Sequence, residues 1–187
     1  ITFDEVDTYE EILEAAGCNA VPPEPDVHHY RIVLPQQELV SCYAAPVTVK
    51  ACANADCSSI YANTVEGTLN SDAADTVWNN TSSNTAVFTF ATGENTYGLS
   101  LVPGGSTTIS LNNLVPVPGN ATQCVDASGA ATSCDILFKT AGLLVSANSP
   151  TAGNDTAVTV RAVETNTTTG ACMARATGIQ SVRLGME

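Results

Sequence analysis

The sequence predicts an all-β protein, in which tandem immunoglobulin-like β-sandwich domains follow one short N-terminal α-helix. Three observations support this class. Hydrophobic and polar residues alternate with a period of two through most of the chain after residue 27. Turn-forming segments rich in Gly, Asn and Ser separate these runs at the spacing expected of sandwich strands. Of the 187 residues, 44% are hydrophobic but only 13% are charged, a balance that favours strands and turns.

The predicted helix spans residues 4–17. One of its faces is hydrophobic at three- and four-residue spacing, through Tyr9, Ile12, Leu13 and Ala16. The proline-rich segment at 21–25 then predicts an extended linker, because proline lacks a backbone donor and disfavours helix in the residue before it. Residues 1–26 are therefore predicted as an N-terminal helix and linker.

Residues 27–116 are predicted to form the first immunoglobulin-like sandwich. Its first strand carries Tyr30, Ile32 and Leu34 on one face, and its second strand carries Val47, Val49 and Ala51 on one face. Further predicted strands are residues 60–69, 86–91, 97–102 and 107–114. This spacing is typical of an immunoglobulin-like unit.

Residues 117–187 are predicted to form a second β-sandwich domain, because the Pro-Val-Pro-Gly segment at 116–119 interrupts the first pattern. Its predicted strands are residues 122–126, 135–139, 143–147, 157–163, 172–177 and 179–185. The last predicted strand ends two residues before the end of the sequence, and we therefore expect a domain that is truncated at its C-terminus.

The charge of the chain restricts its partners. Six Lys and Arg residues against 19 Asp and Glu residues give a formal net charge of −13 at pH 7. Such a chain repels nucleic acid and anionic lipid, and no segment is apolar and long enough to cross a membrane. We therefore expect neutral or basic partners, no nucleic-acid binding and no direct membrane insertion.

No motif indicates catalysis, a cofactor or a metal. The sequence lacks the G-x-S-x-G of serine hydrolases, and the Pro-Gly-Gly-Ser segment at 103–106 predicts a turn between strands, not a phosphate loop. Its two histidines, His28 and His29, are adjacent on a predicted strand and should point to opposite faces, which would prevent them from sharing one zinc ion. We expect no enzymatic activity and no cofactor.

Trp78 and Tyr97 are candidate ligand contacts. Trp78, the single tryptophan, lies beside a polar run at 79–84, where its ring could stack on a sugar. The alternative is that it closes the end of the sandwich core. Lys50 and Lys139 stand within strands and are candidates for an internal Lys–Asn isopeptide bond, although a lysine stem along a sheet with its head in water is the simpler interpretation.

Residues 28–61 combine a strand led by His-Tyr, a cysteine, a P-V-T-V-x-A-C strand and a further cysteine five residues on. Residues 134–187 add a TAGL run, an Ala-Gly before a strand and a T-G-A-C-x-A turn. These features resemble the C-terminal region of the MSHA pilus biogenesis protein MshQ family, over about residues 28–187. The resemblance implies an exported bacterial protein, extracellular or at the cell surface, whose partners are other domains of the same protein or type IV pilus components.

Seven cysteines are too many for a cytosolic protein without a metal-binding pattern, and they indicate structural disulfides formed in an oxidising compartment. Spacing suggests three pairings and leaves the connectivity open: Cys52–Cys57 across a tight loop, Cys124–Cys134 across a hairpin tip, and Cys18–Cys42 between the helix and the first sandwich. The family pattern implies that Cys172 pairs with a further cysteine beyond Glu187.

Together these features predict an extracellular structural or adhesion-supporting module, whose stacked sandwiches project a binding domain of the parent protein. One alternative is direct binding of a protein or of surface glycans through Trp78 and Tyr97. A second is a self-assembling filament subunit, in which the helix or the terminal strand completes the sheet of a neighbour.

Overall fold

A computed structural model describes residues 27–34, 36–79, 81–91, 93–147 and 158–175. Every regular element in these residues is a strand, which confirms the all-β class. The predicted helix at 4–17, the linker at 21–25 and the last predicted strand at 179–185 lie outside the described residues. No helix long and apolar enough to span a membrane occurs in the described part of the chain.

The described residues form thirteen strands. In chain order they are β1 (His29–Leu34), β2 (Glu38–Val40), β3 (Ala45–Cys52), β4 (Val65–Ser71), β5 (Thr76–Trp78), β6 (Thr85–Phe90), β7 (Glu94–Leu101), β8 (Gly105–Val115), β9 (Gln123–Asp126), β10 (Asp135–Lys139), β11 (Ala141–Ala147), β12 (Val158–Thr165) and β13 (Cys172–Ala174).

The first ten strands form two five-stranded sheets. Their orders are β5-β7-β3-β1-β9 and β2-β10-β8-β4-β6. Neighbouring strands are antiparallel, except that β9 runs parallel to β1 and β10 runs parallel to β2. Each parallel pair therefore joins a strand near the start of the described chain to a strand that comes more than 80 residues later.

β9 and β10 follow the predicted domain boundary at 116 and 117, but they pair with strands that precede it. β9 pairs with β1 from Arg31↔Gln123 to Leu34↔Asp126, and β10 pairs with both β2 and β8. In three dimensions the first sandwich therefore comprises residues 27–139, and only β11, β12 and β13 lie outside it.

One hydrophobic core fills the space between the two sheets. The faces predicted from the alternation are confirmed, since Tyr30, Ile32, Leu34, Val47, Val49 and Ala51 are all 0% exposed. The second sheet supplies Leu69, Phe88 and Ile136. Burial of each large side chain of this kind stabilises the fold by roughly 1.5–3 kcal/mol.

The strands that sequence analysis missed are the short ones. β2 and β5 have three residues each, which is too few for a readable alternation. The strand predicted at 60–69 begins at Val65, because Ile60 makes only an isolated bridge to Cys52.

The remaining strands form a separate three-stranded antiparallel sheet in the order β11-β12-β13, which is called the third sheet below. β11 pairs with β12 from Ala141↔Glu164 to Ala147↔Val158, and β13 adds three pairs. Leu143 and Val145 on β11 are 59% and 62% exposed, so this sheet has a solvent-facing apolar side.

Candidate functional site

The third sheet is covalently joined to the sandwich by a disulfide between Cys42 and Cys172. Cys42 follows β2, Cys172 begins β13, and their Cα atoms lie 5.0 Å apart at a sequence separation of 130. The predicted Cys18–Cys42 pairing is therefore wrong, and so is the pairing of Cys172 with a cysteine beyond Glu187. Spacing could not reveal this bond, because its partners meet only through the fold.

Several hydrogen bonds lie at this joint, and the bond between Ser41 and Thr165 is buried. Ser41 is 1% exposed. Its hydroxyl donates to the Pro103 carbonyl oxygen at 2.8 Å, and its Oγ lies 2.6 Å from Thr165 Oγ1. Because a hydroxyl has one hydrogen, Ser41 must accept the second bond from Thr165. The Thr165 backbone N–H donates to Thr140 O at 2.8 Å. The joint is thus held by polar contacts as well as by the disulfide.

The backbones of the two units also approach closely. A Cβ at Gly142 on β11 would lie 2.5 Å from Val40 Cγ2 on β2. This distance is shorter than any ordinary van der Waals contact, so the absence of a side chain at residue 142 lets β11 lie against β2.

An open groove lies beside the joint. Its lining includes Glu38, Val40 and Tyr43 from the sandwich, with Lys139 at the end of β10, and Gly142 and Leu143 from the third sheet. Tyr43 is 45% exposed, and the Lys139 ammonium pairs with the Glu38 carboxylate. The groove therefore offers one accessible aromatic ring next to an ion pair.

The lysines considered for an isopeptide bond are both in surface ion pairs. Lys139 pairs with Glu38, and Lys50 Nζ lies 2.7 Å from Glu94 Oε2. These contacts agree with the simpler interpretation, in which each lysine keeps its head in water.

Trp78 closes the end of the core. Its side chain is 0% exposed, and the indole Nε1–H donates to Asn84 O at 3.0 Å. A ring without exposed surface has no face to offer a sugar, so the ligand-contact prediction is wrong for Trp78. Tyr97 is partly buried against the core, and its hydroxyl accepts a bond from Asn95 Nδ2 at 3.2 Å. Its role as a ligand contact stays a prediction.

The structure contains both short-range disulfides that spacing suggested. Cys52–Cys57 and Cys124–Cys134 have Cα–Cα distances of 4.8 and 5.4 Å. Cys124 lies on β9, in the first sheet, whereas Cys134 directly precedes β10, in the second. The Cys124–Cys134 bond therefore ties two sheets together and does not close a hairpin. Cys18 lies outside the described residues.

Three disulfides indicate an oxidising environment. In the described residues they use every cysteine, so the disulfide framework is complete within this part of the chain.

His28 and His29 do not point apart. Their Nδ1 atoms lie 3.0 Å apart and their rings meet edge to face, so the prediction of opposite faces is wrong. The reason is that β1 begins only at His29, and strand alternation does not apply to His28. Burial, followed by the nearby charges of Arg31 and His28, lowers the pKa of His29 from its ordinary value of 6.5.

His29 also lies beside a disulfide. One imidazole nitrogen of His29 and the sulfur atoms of Cys52 and Cys57 are all within 4.8 Å of one another. His29 and Cys52 face each other because they form the end pair of the β1–β3 ladder. Sequence analysis missed this cluster, since it depends on the register of two strands.

Two family models match consecutive parts of the chain. Residues 27–117 match the domain of unknown function DUF8613, and residues 121–187 match the domain of unknown function DUF6701, first Ig-like domain. These families meet within a few residues of the predicted boundary at 116 and 117, and the Ig-like description agrees with the sandwich fold. Comparison with the curated proteins and with the solved structures found no significant match.

The family models and the strand pairing divide the chain at different places. β9 and β10 fall in the segment that is similar to the Ig-like family, yet they complete the two sheets that residues 27–117 build. The two regions are therefore interlocked by hydrogen-bonded strands in addition to the Cys42–Cys172 bond.

Proposed function

We propose that this chain is an extracellular structural module of a bacterial surface protein, which holds successive domains in a fixed arrangement and supports adhesion by a binding domain elsewhere in that protein. The observation that carries this proposal is the Cys42–Cys172 disulfide, because it joins the sandwich and the third sheet covalently across a sequence separation of 130. The module has no catalytic role in this proposal.

The position of the disulfide suits a protein under tension. A force that pulls residues 27 and 175 apart passes through β1, β2, the disulfide and β13. The segment between Cys42 and Cys172, a sequence separation of 130, then carries no force. The other two disulfides lie inside this bypassed segment. The segment between Cys42 and Cys172 therefore cannot extend under such a force unless a covalent bond breaks.

The setting of the module is also part of the proposal. The similarity of residues 121–187 to an Ig-like domain and the oxidised cysteines favour an exported protein. An association with type IV pili rests on the sequence resemblance to the MshQ family. Its partners would then be neighbouring domains of the same protein or pilus components.

Single-molecule force spectroscopy tests the proposal. With the 130-residue separation locked, the oxidised chain should extend about 450 Å less than the reduced chain, at roughly 3.3–3.6 Å for each extended residue. The Cys42→Ser/Cys172→Ser variant should extend to nearly the reduced length without reductant. The matched variant Cys124→Ser/Cys134→Ser should keep the short extension. Full extension of the oxidised wild-type chain at low force would contradict a mechanical role of this disulfide.

Direct binding is the second candidate, and the groove beside the joint favours it. Tyr43 is exposed there next to the Glu38–Lys139 pair, an arrangement in which a ring and polar groups can contact a sugar or a peptide together. Glycan-array binding that is lost on Tyr43→Ala but kept on Trp78→Phe would support this alternative. An array without any binding would leave the structural proposal in place.

A further inference from the structure

We propose that His29, Cys52 and Cys57 form a binding site for a soft metal ion, Cu(I), which opens when the Cys52–Cys57 disulfide is reduced. This site goes beyond the structural role of the module and is independent of the Cys42–Cys172 lock.

The geometry brings three suitable donors together. His29 and Cys52 are paired across β1 and β3, and Cys57 lies in the loop at 53–59 that follows β3. The imidazole nitrogen and the two sulfur atoms are within 4.8 Å of one another, so a single ion can reach all three after a small shift. His29 and Cys52 are fully buried, whereas Cys57 is half-buried and most other residues of the loop are exposed.

A buried nitrogen without a partner points to a ligand. His29 Nδ1 is in contact with His28 Nδ1, but His29 Nε2 is buried and has no hydrogen-bond partner among the described residues. Burial of an unpaired polar atom is unfavourable, so native proteins seldom keep one without a reason. A histidine that donates from one ring nitrogen to a neighbour presents a lone pair on the other, which is the state in which histidine binds metals.

The disulfide controls access to this site. Bonded sulfur atoms are poor ligands, so metal binding requires that Cys52–Cys57 first accept two electrons and two protons. A small dithiol reductant supplies both and is itself oxidised to a disulfide. Binding of the ion then releases the protons of the two thiols as the sulfurs become thiolates.

The donor set favours Cu(I). The two thiolates are soft ligands of the kind that select Cu(I), and the imidazole also suits copper. A structural zinc site needs four protein ligands, whereas this cluster offers three. Two thiolates and Cu(I) leave one negative charge. The positively charged Arg31 guanidinium contacts the loop that carries Cys57, since its Nη1 donates to Asp56 O at 3.2 Å.

The other short-range disulfide provides a matched control. Cys124–Cys134 has a sequence separation of 10 against 5 for Cys52–Cys57, and among the described residues it belongs to no cluster of three metal-binding donors. The Cys52–Cys57 bond also closes the shortest loop of the three, and the chain-entropy argument assigns the smallest stabilisation to such a loop. Its reduction should therefore disturb the fold least.

The test is Cu(I) binding by the full chain in competition with a chromogenic Cu(I) chelator, without oxygen, after reduction and after circular dichroism has verified the fold. We expect one Cu(I) for each reduced chain and none for the oxidised chain. The His29→Ala variant should bind at least tenfold more weakly, and Cys124→Ser/Cys134→Ser should bind like wild type. Binding that is absent, or that is unchanged in His29→Ala, would overturn the proposal.

A second measurement covers the case in which His29→Ala does not fold. X-ray absorption at the copper edge of the loaded wild-type chain should show two sulfur neighbours and one nitrogen neighbour. A shell of sulfur alone would remove His29 from the site and refute the assignment.

Discussion

The sandwich and the third sheet are stabilised by different means. The two sheets of the sandwich enclose a continuous core in which Trp78, Tyr30 and Phe138 are almost fully buried. In the third sheet, Val163 is the one buried hydrophobic side chain among the described residues, while Leu143 and Val145 face solvent. A sheet that buries so little is marginal by itself. Among the described residues, apolar burial therefore stabilises the sandwich, whereas the third sheet depends more on its attachments to the sandwich.

The largest expected difference between the two units is the loss of stability when an apolar side chain is truncated to alanine. Trp78→Ala should destabilise the sandwich by about 3–5 kcal/mol, because it leaves a cavity and an unpaired Asn84 carbonyl. Leu143→Ala in the third sheet should change stability by less than about 0.5 kcal/mol, since its side chain is 59% exposed. Chemical denaturation of both variants measures the difference. Equal losses would mean that the third sheet has a core of its own.

A smaller effect is expected at the joint. Ser41→Ala removes the hydroxyl between Pro103 O and Thr165 Oγ1 and leaves the buried Thr165 hydroxyl without this partner, at a cost of about 1–3 kcal/mol. We expect faster amide hydrogen exchange in β12 and little change in β3. Ser110→Ala, an exposed residue on β8, is the control. Uniform acceleration across the whole chain would show that the two units unfold together.

The smallest effect depends on pH and is confined to the sandwich. The backbone N–H of Thr108 and then the Thr107 hydroxyl donate to Asp72, and they lower the pKa of its carboxyl group below the ordinary 3.8. A lowered pKa in the folded state stabilises the fold above pH 3.8, and this contribution is lost as the pH falls through the folded-state value.

Asp72→Asn should therefore lower Tm slightly at pH 6, and the difference from wild type should shrink below pH 3.8. Asp75→Asn, three residues away in the same turn and with the same change of charge, is the control. A Tm difference for Asp72→Asn that stays constant down to pH 2.5 would contradict the role of the ionised carboxylate.

Local features of the fold could be predicted from the sequence. The alternation at Tyr30, Ile32 and Leu34 predicted a buried face, and short spacing suggested the Cys52–Cys57 bond; both are present in the structure. Such features depend on residues that are close in the chain, where strand geometry and loop length decide which side chains meet.

The candidate sites could not be predicted in this way. His29 meets Cys52 through the register of two strands, and the groove at Tyr43 forms only where the third sheet meets the sandwich. The burial of Trp78 was an open alternative, because its flanking polar run suits a strand end at the surface as well as one that closes a core. Each of these depends on contacts between distant segments.

The sequence by itself determined that this protein is built from β-strands, where most of the longer strands lie, and that its cysteines form disulfides. Tertiary structure alone decided that β9 and β10 complete the first sandwich and that Cys42 bonds to Cys172. The physical reason is that alternation records which face of a strand is buried but not which strand lies beside it. Neighbours separated by 80 or more residues are selected by the packing of the whole core.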